Sequence, residues 1–346
     1  MPSGPWDAIT DVPGVLVGCT TLVEGDDVRT GVTVVRPHDG DIGREPYFAG
    51  SDVLNGNGEV TGLAWVRESG MLTTPVAITN THSVGVVRDA ICGLGTLGED
   101  RWSLPVVGET YDGVLNDIGG QHVTAEHLRA AFESAASGPV AQGCVGGGTG
   151  MICHGFKGGT GTASRVVPDE DGGFTVGVLV QANHGRRDRL RVEGVDVGSR
   201  IGPDVVPVPP RGTPGAGSIV VVVATDAPLL PGQCDRLARR ASLGIGRTGG
   251  LGEHSSGDFT VAFATGNRGM SSDKGGRHGL THAVTMLGHD AMNPLFAAVV
   301  EATEAAIVGA LLAAETMTGR GGTTVHALPH DLLGAALQGG GPPGSA

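Results

Sequence analysis

A serine stands at position 218 between two unlike stretches, PGAG before it and the all-apolar run Ile219 to Ala224 after it. A serine hydroxyl is a poor nucleophile until a base takes its proton. If the Gly217–Ser218 peptide bond were cut, the new α-amino group would sit on the same residue as that hydroxyl. Its ordinary pKa of about 7.7–8.0 leaves much of it neutral, and so basic, near neutral pH. The serine could make the cut itself. Its hydroxyl attacks the Gly217 carbonyl, the peptide becomes an ester, and water removes the ester. Gly217 has no Cβ to obstruct that approach and tolerates strained backbone angles. A loop leading into an ordinary strand start accounts for the same residues, so composition leaves both readings open.

Other motifs carry less chemistry. Gly244-Ile245-Gly246-Arg247-Thr248-Gly249 matches G-x-G-x-x-G, but it follows a helix-like segment rather than a strand, so a helix stop and turn is expected instead of a nucleotide site. The glycine-rich run Gly143–Gly161 lacks the G-K-[S/T] of a phosphate cradle, and close backbone packing or a pocket lining is expected there. His278 and His282 are four apart without an H-E-x-x-H pattern, and no metal or other cofactor is expected. No G-x-S-x-G elbow occurs, which disfavours an α/β-hydrolase.

These residues must be held by elements that the patterning partly reveals. Val60–Val66, Pro75–Thr79, Phe174–Gln181, Ser218–Ala224 and Phe259–Thr265 read as strands bounded by Gly, Asn or Asp. The Ser218 strand is apolar on both faces, which predicts a central position covered on both sides. Helices are predicted at Thr124–Ala136, at Pro231–Leu243 with a stop at Gly244, and from an Asn293-Pro294 start to Gly319. Strands flanked by helices predict a layered α/β or α+β sandwich. Val205–Gly217 is the nearest candidate for a linker, and residues 338–346 read as a flexible tail.

The chain has 346 residues, 39% hydrophobic and 3% aromatic, enough for a sizeable core. A net charge of −13 with no basic cluster argues against nucleic acid or an anionic membrane as partner. The apolar stretch Ala305 to Ala314 is about half of a membrane span, and the N terminus does not read as a signal peptide. Five cysteines without a C-x-x-C pair are expected as free thiols in a reducing cytoplasm.

A set of segments then narrows the function. ITDVPGVLVG, NGNGEVTG, ITNTHSVG, GETYDGVLND, GFKGGTGTASR, GVLVQANHG, GSIVVVVATDAPLLPGQCDRLARRASLG, SSGDFTVAFATGN and NPLFAAVVEATEAAIVGALLAAETMTG run in order from about residue 8 to residue 333. In these the chain resembles the self-processing N-terminal-serine aminopeptidases, which include the L-aminopeptidase/D-esterase-amidases and the β-peptidyl aminopeptidases. The resemblance implies cleavage between Gly217 and Ser218 into an α chain, 1–217, and a β chain, 218–346, within one structural domain. It implies that Ser218 is the nucleophile of both self-cleavage and substrate turnover.

By the same resemblance, Ser256 and Asp258 of SSGD hydrogen-bond around the nucleophile, where some members carry Glu in place of Asp258. Two routes from Asp258 to Ser218 are open, through Ser256 or through water. Asn183 of QANHG matches the oxyanion-stabilising asparagine, and Tyr111 of GETYDG a supporting tyrosine. Glu109 of the same segment matches the carboxylate that holds the substrate's free amine. Cys19 stands where relatives often have His. The implied fold is an α+β, four-layer αββα sandwich like the N-terminal-nucleophile hydrolases, with different connectivity. The implied assembly is a homo-oligomer, a tetramer or octamer of αβ units. The expected substrates are small peptides, amides or esters, with α- or β-amino and L or D preference left open. An acyltransferase of the ornithine acetyltransferase type, which processes before threonine, and a non-catalytic homologue are the alternatives.

Overall fold

The computed structural model describes residues 1–94, 102–209, 217–270 and 281–339. Pro214–Ala216 of the opening stretch, His278, and the tail from residue 340 lie outside the described residues. The first half holds β1 (Leu16–Glu24), β2 (Val28–Arg36), β3 (Tyr47–Gly56), α1 (Leu63–Ser69), β4 (Met71–Leu72) and β5 (Val76–Asn80). After these come α2 (Val84–Cys92), β6 (Val106–Thr110), α3 (Ala125–Glu133), β7 (Ile152–Cys153), β8 (Phe156–Lys157), β9 (Gly159–Val166) and β10 (Thr175–Asn183). A small pair, β11 (Arg191–Val192) and β12 (Val195–Asp196), precedes α4 (Val197–Arg200) and β13 (Gly217–Thr225). The rest is α5 (Pro231–Arg247), β14 (Ser256–Ala264), α6 (Asn293–Leu312), β15 (Met317–Gly319), β16 (Thr323–Val325) and α7 (His330–Leu337).

Two sheets carry the architecture. One has the order β1-β2-β5-β6 and the other β4-β3-β14-β13-β10-β9. β13 runs parallel to β14 and antiparallel to β10, so it sits in the middle of the larger sheet as its apolar run predicts. Its side chains alternate between two cores. Val220, Val222 and Ala224 join Val76, Ile78 and Val106 of the smaller sheet, which fills the space between sheets. Ile219, Val221 and Val223 join Leu237 and Ala241 of α5 and Ala298 and Ala302 of α6 on the outer face. Each such side chain taken from water contributes about 1.5–3 kcal/mol before chain entropy is set against it. On the far side, Val32, Val34, Ala77 and Val107 pack against Val87 and Ile91 of α2 and Leu128 and Ala131 of α3. The layers therefore run helix, sheet, sheet, helix, the αββα sandwich expected from the resemblance.

Several elements differ from the sequence reading. Val60–Val66 is not a strand: Gly62 takes a left-handed conformation (φ 76°) and opens α1 at Leu63, leaving Val60 a single bridge to Gly108. α5 does not stop at Gly244 but runs through it to Arg247. A Cβ at Gly244 would come within 2.6 Å of Thr303 on α6, so this glycine serves close helix packing, and the stop falls at Thr248-Gly249. α6 begins at Asn293 itself, with Met292 as cap, and ends at Leu312, because Met317–Gly319 pairs with Thr323–Val325. With the turn that precedes it, α6 spans His289–Leu312 at mean hydropathy 1.9, long and apolar enough to cross a membrane by length and composition. Here it lies across the larger sheet and α5. The glycine run packs backbone on backbone as expected: a Cβ at Gly148 would meet Thr160, and one at Gly158 would meet Cys153.

Candidate active site

Three strand ends meet at Ser218. Asn183, the last residue of β10, faces it across one ladder, and Gly257 of β14 faces it across the other. The Ser218 hydroxyl donates to its own preceding carbonyl, Gly217 O, at 2.7 Å and accepts the Gly257 N–H at 3.2 Å. The nucleophile candidate thus lies on the carbonyl group it would attack. Gly217 has a packing reason as well, since a Cβ there would come within 2.9 Å of His184 Cα.

Asn183 is fixed from both ends of its amide. Its Oδ1 accepts the Ile152 N–H at 2.8 Å, and its Nδ2 donates to the Tyr111 carbonyl at 3.1 Å. These partners determine which end is oxygen, and they leave one of the two amide N–H groups for a ligand. Tyr111 therefore contributes through its backbone. Its half-exposed ring leans over Gly113, where a Cβ would meet the phenol.

Glu109 is the next-to-last residue of β6, beside these groups, and is buried. Its Oε1 accepts the Glu59 N–H at 3.0 Å, and its Oε2 accepts the Thr81 hydroxyl. Burial pushes its pKa up, while the Thr81 hydroxyl and the Glu59 N–H pull it down. A carboxylate so held is a ready partner for an ammonium group. Ser218, Asn183, Glu109, Thr81 and Tyr111 all line one cavity of about 770 Å³, closed further by Ile152, Arg186 and Val208. That size suits a small peptide or amide.

Ser256 and Asp258 lie behind this group. On β14, Ser256 is level with Gly217 and Asp258 with Ile219. The Ser256 hydroxyl donates to Asp258 Oδ1 at 2.7 Å, and its N–H donates to Glu253 O at 2.7 Å. The contact from β14 to the Ser218 hydroxyl comes from Gly257, while the Ser256 hydroxyl is turned to Asp258. Burial pushes the Asp258 carboxyl up to about 6, against the pull of the Ser256 hydroxyl and with a push from the Glu253 carboxylate. Its Oδ2 is buried without a hydrogen-bond partner.

A carboxyl whose folded pKa stands above its unfolded one holds its proton more tightly when folded, so its ionisation destabilises the fold. Stability should fall as pH rises from about 4 through 6. Asp258→Asn is expected to remove that slope and to stabilise the protein at pH 8 by up to about 3 kcal/mol, with the gain vanishing toward pH 4. Thermal melts of both proteins across that range check it; an equal gain at every pH would contradict it.

Sequence reasoning did not find Ile152, Thr81 or the Gly257 N–H. Ile152 and Gly257 act through backbone groups and Thr81 through a contact across the sheet, so no side-chain pattern announces them. Cys19 is partly buried, hydrogen-bonds Thr33 Oγ1 at 3.7 Å, and packs on the core between the sheets.

With this geometry in hand, similarity to known proteins is informative. The model of peptidase family S58 matches residues 7–325. The β-peptidyl aminopeptidase BapA of Sphingosinicella microcystinivorans is 49% identical, over 97% of this chain and 88% of its own length. A β-aminopeptidase from a Burkholderia species superposes with a TM-score of 0.90 at 53% identity, covering 98% of this chain and 95% of that one. The L-aminopeptidase D-Ala-esterase/amidase of Ochrobactrum anthropi, described as a prototype of the serine aminopeptidases and a variant of the N-terminal-nucleophile hydrolase fold, superposes at 0.88 with 43% identity. That match covers 98% of this chain and 95% of the other. The chain belongs to peptidase family S58 and is a hydrolase of the aminopeptidase type.

Proposed function

We propose that the chain cuts itself between Gly217 and Ser218 and then removes N-terminal residues from short peptides, amides or esters through an acyl-enzyme on Ser218. The observation that carries this reading is the Ser218 hydroxyl, held 2.7 Å from Gly217 O at the cavity and steadied by the Gly257 N–H. In the self-cleavage, Ser218 Oγ bonds to the Gly217 carbonyl carbon and its proton passes to the Ser218 nitrogen. The C–N bond breaks, and water then hydrolyses the ester to a Gly217 carboxylate and a free hydroxyl. The freed amine becomes the base for substrate turnover. The Asn183 N–H stabilises the negative oxygen of each tetrahedral intermediate. Asp258 orients Ser256 at the β14 end next to the new amine.

Glu109 holds the substrate's ammonium group. Glu109→Gln is expected to raise KM for aminoacyl p-nitroanilides by roughly 10–100-fold, the worth of one charge-assisted hydrogen bond, with kcat little changed. A loss mainly in kcat would contradict that role. β-Amino acyl substrates belong in the reading because two of the similar proteins are named for them. The exposed Leu243 and Leu251 support assembly into a homo-oligomer, and the free cysteines support a cytoplasmic setting.

Denaturing mass spectrometry of the purified protein tests the processing step. Two chains that divide after Gly217 are expected. An intact chain that nevertheless hydrolyses L-, D- or β3-aminoacyl p-nitroanilides would overturn it.

A further inference from the structure

Behind the cavity, three soft side chains meet in the core. Cys153, His154 and His184 are all buried, and one ligand atom from each lies within 4.8 Å of the others. Cys153 Sγ is 3.9 Å from His184 Nδ1, and the two imidazole rings meet edge to face at 5.2 Å. The arrangement is built by the backbone. Residues 152–157 form a tight hairpin whose two turn residues, His154 (φ 50°) and Gly155 (φ 71°), are both left-handed. Asn-Gly is the usual pair for such a turn, yet a histidine occupies the first position with its ring fully enclosed. The His154 N–H then donates to His184 O at 2.7 Å, pinning the hairpin to the end of β10.

The hydrogen bonds reach only one nitrogen of each ring, and the other lacks the partner a buried polar atom needs. His154 Nδ1 meets Arg186 O at 3.0 Å, so it carries the proton, and His154 Nε2 is a bare lone pair with no partner. His184 Nε2 is likewise buried and unpartnered. Two imidazoles and a thiol thus converge, with one nitrogen of each ring left unpartnered.

We propose that Cys153, His154 and His184 bind a transition-metal ion of the zinc class, which fastens the hairpin to the strand end that carries Asn183. On binding, the Cys153 thiol gives up its proton to solvent as the metal–sulfur bond forms. The bond lengths of tetrahedral zinc place ligand atoms about 3.3–3.6 Å apart, a short contraction from the spacing here. Three protein ligands leave one position for water. The residues next to the ligands are Ile152 and Asn183, whose mutual hydrogen bond sets the catalytic amide. The site would therefore steady that amide from behind without touching substrate.

Because the ligands are enclosed, the metal must enter as the chain folds, so loading is done during expression. Full-length protein is produced in medium supplemented with zinc or with cobalt, stripped of surface metal by a chelator, and assayed by elemental mass spectrometry. One ion per chain is expected, with a thiolate-to-cobalt charge-transfer band in the cobalt form. Cys153→Ala and His154→Asn should lose the band and retain at least about tenfold less metal; asparagine suits the left-handed turn and preserves the hairpin. Circular dichroism melts verify that each variant is folded. Substoichiometric metal in folded parent protein from both media would overturn the proposal in favour of a metal-free hydrogen-bonded trio. Full metal content in both folded variants would overturn it in favour of a site elsewhere.

Discussion

Ser218→Ala is expected to leave purification as one uncut chain and to hydrolyse aminoacyl p-nitroanilides at least about 10⁴-fold more slowly than the parent. Both effects have one cause. The hydroxyl that bonds to the Gly217 carbonyl carbon is the same atom that later bonds to the substrate, and alanine has no atom there. The substitution is mild for the fold. β13 keeps its ladder to β10 and β14, and what goes is the hydroxyl's 2.7 Å bond to its own Gly217 O and the 3.2 Å bond from the Gly257 N–H. That loss costs on the order of 1 kcal/mol, so the melting temperature should move by a few degrees at most. Ser218→Cys separates the two roles of the residue, because a thiol also undergoes the acyl shift and should still process. A Ser218→Ala chain that is cut after Gly217, or that keeps parental activity uncut, would remove Ser218 from the mechanism.

What could be read from the sequence followed the range of the interaction involved. The central, doubly covered strand at Ser218 was legible because continuous apolar character is a local signal of burial on both faces. The helix starts at Pro231 and near Pro294 were legible for the same local reason. The reading failed where a tertiary contact overrode a local rule. Gly244 looks like a stop, but α6 passes so close that only glycine fits inside the helix there. Val60–Val66 has strand composition, but the left-handed Gly62 turns the chain into α1. The four layers came from family resemblance, since periodicity does not say which sheet a strand joins.

The site divides in the same way. Ser218, Asn183, Glu109 and Tyr111, which the matched motifs single out, line one cavity. The groups that fix them are remote in sequence and act through peptide groups or single hydroxyls. Ile152 reaches Asn183 across 31 positions and Thr81 reaches Glu109 across 28. The Cys153, His154 and His184 cluster was invisible for a related reason: an adjacent pair and a distant third residue match no ligand spacing.

The amide of Asn183 supplies the second large effect. Asn183→Ala is expected to lower kcat by roughly 10²–10³-fold while KM changes little, the signature of a donor that matters only in the transition state. The ground-state substrate is held by Glu109 and the cavity wall, which the substitution leaves in place. A structural cost comes with it, because the Ile152 N–H and the Tyr111 carbonyl lose their partners, at about 1–3 kcal/mol for each buried group. Asn183→Asp distinguishes the donor from the scaffold. Aspartate still accepts the Ile152 N–H, but it presents a carboxylate to the Tyr111 carbonyl and donates nothing to an oxyanion. Both variants should therefore lose kcat, whatever their melting temperatures. If Asn183→Asp retained the parental kcat, the oxyanion would have to be held by backbone N–H groups alone.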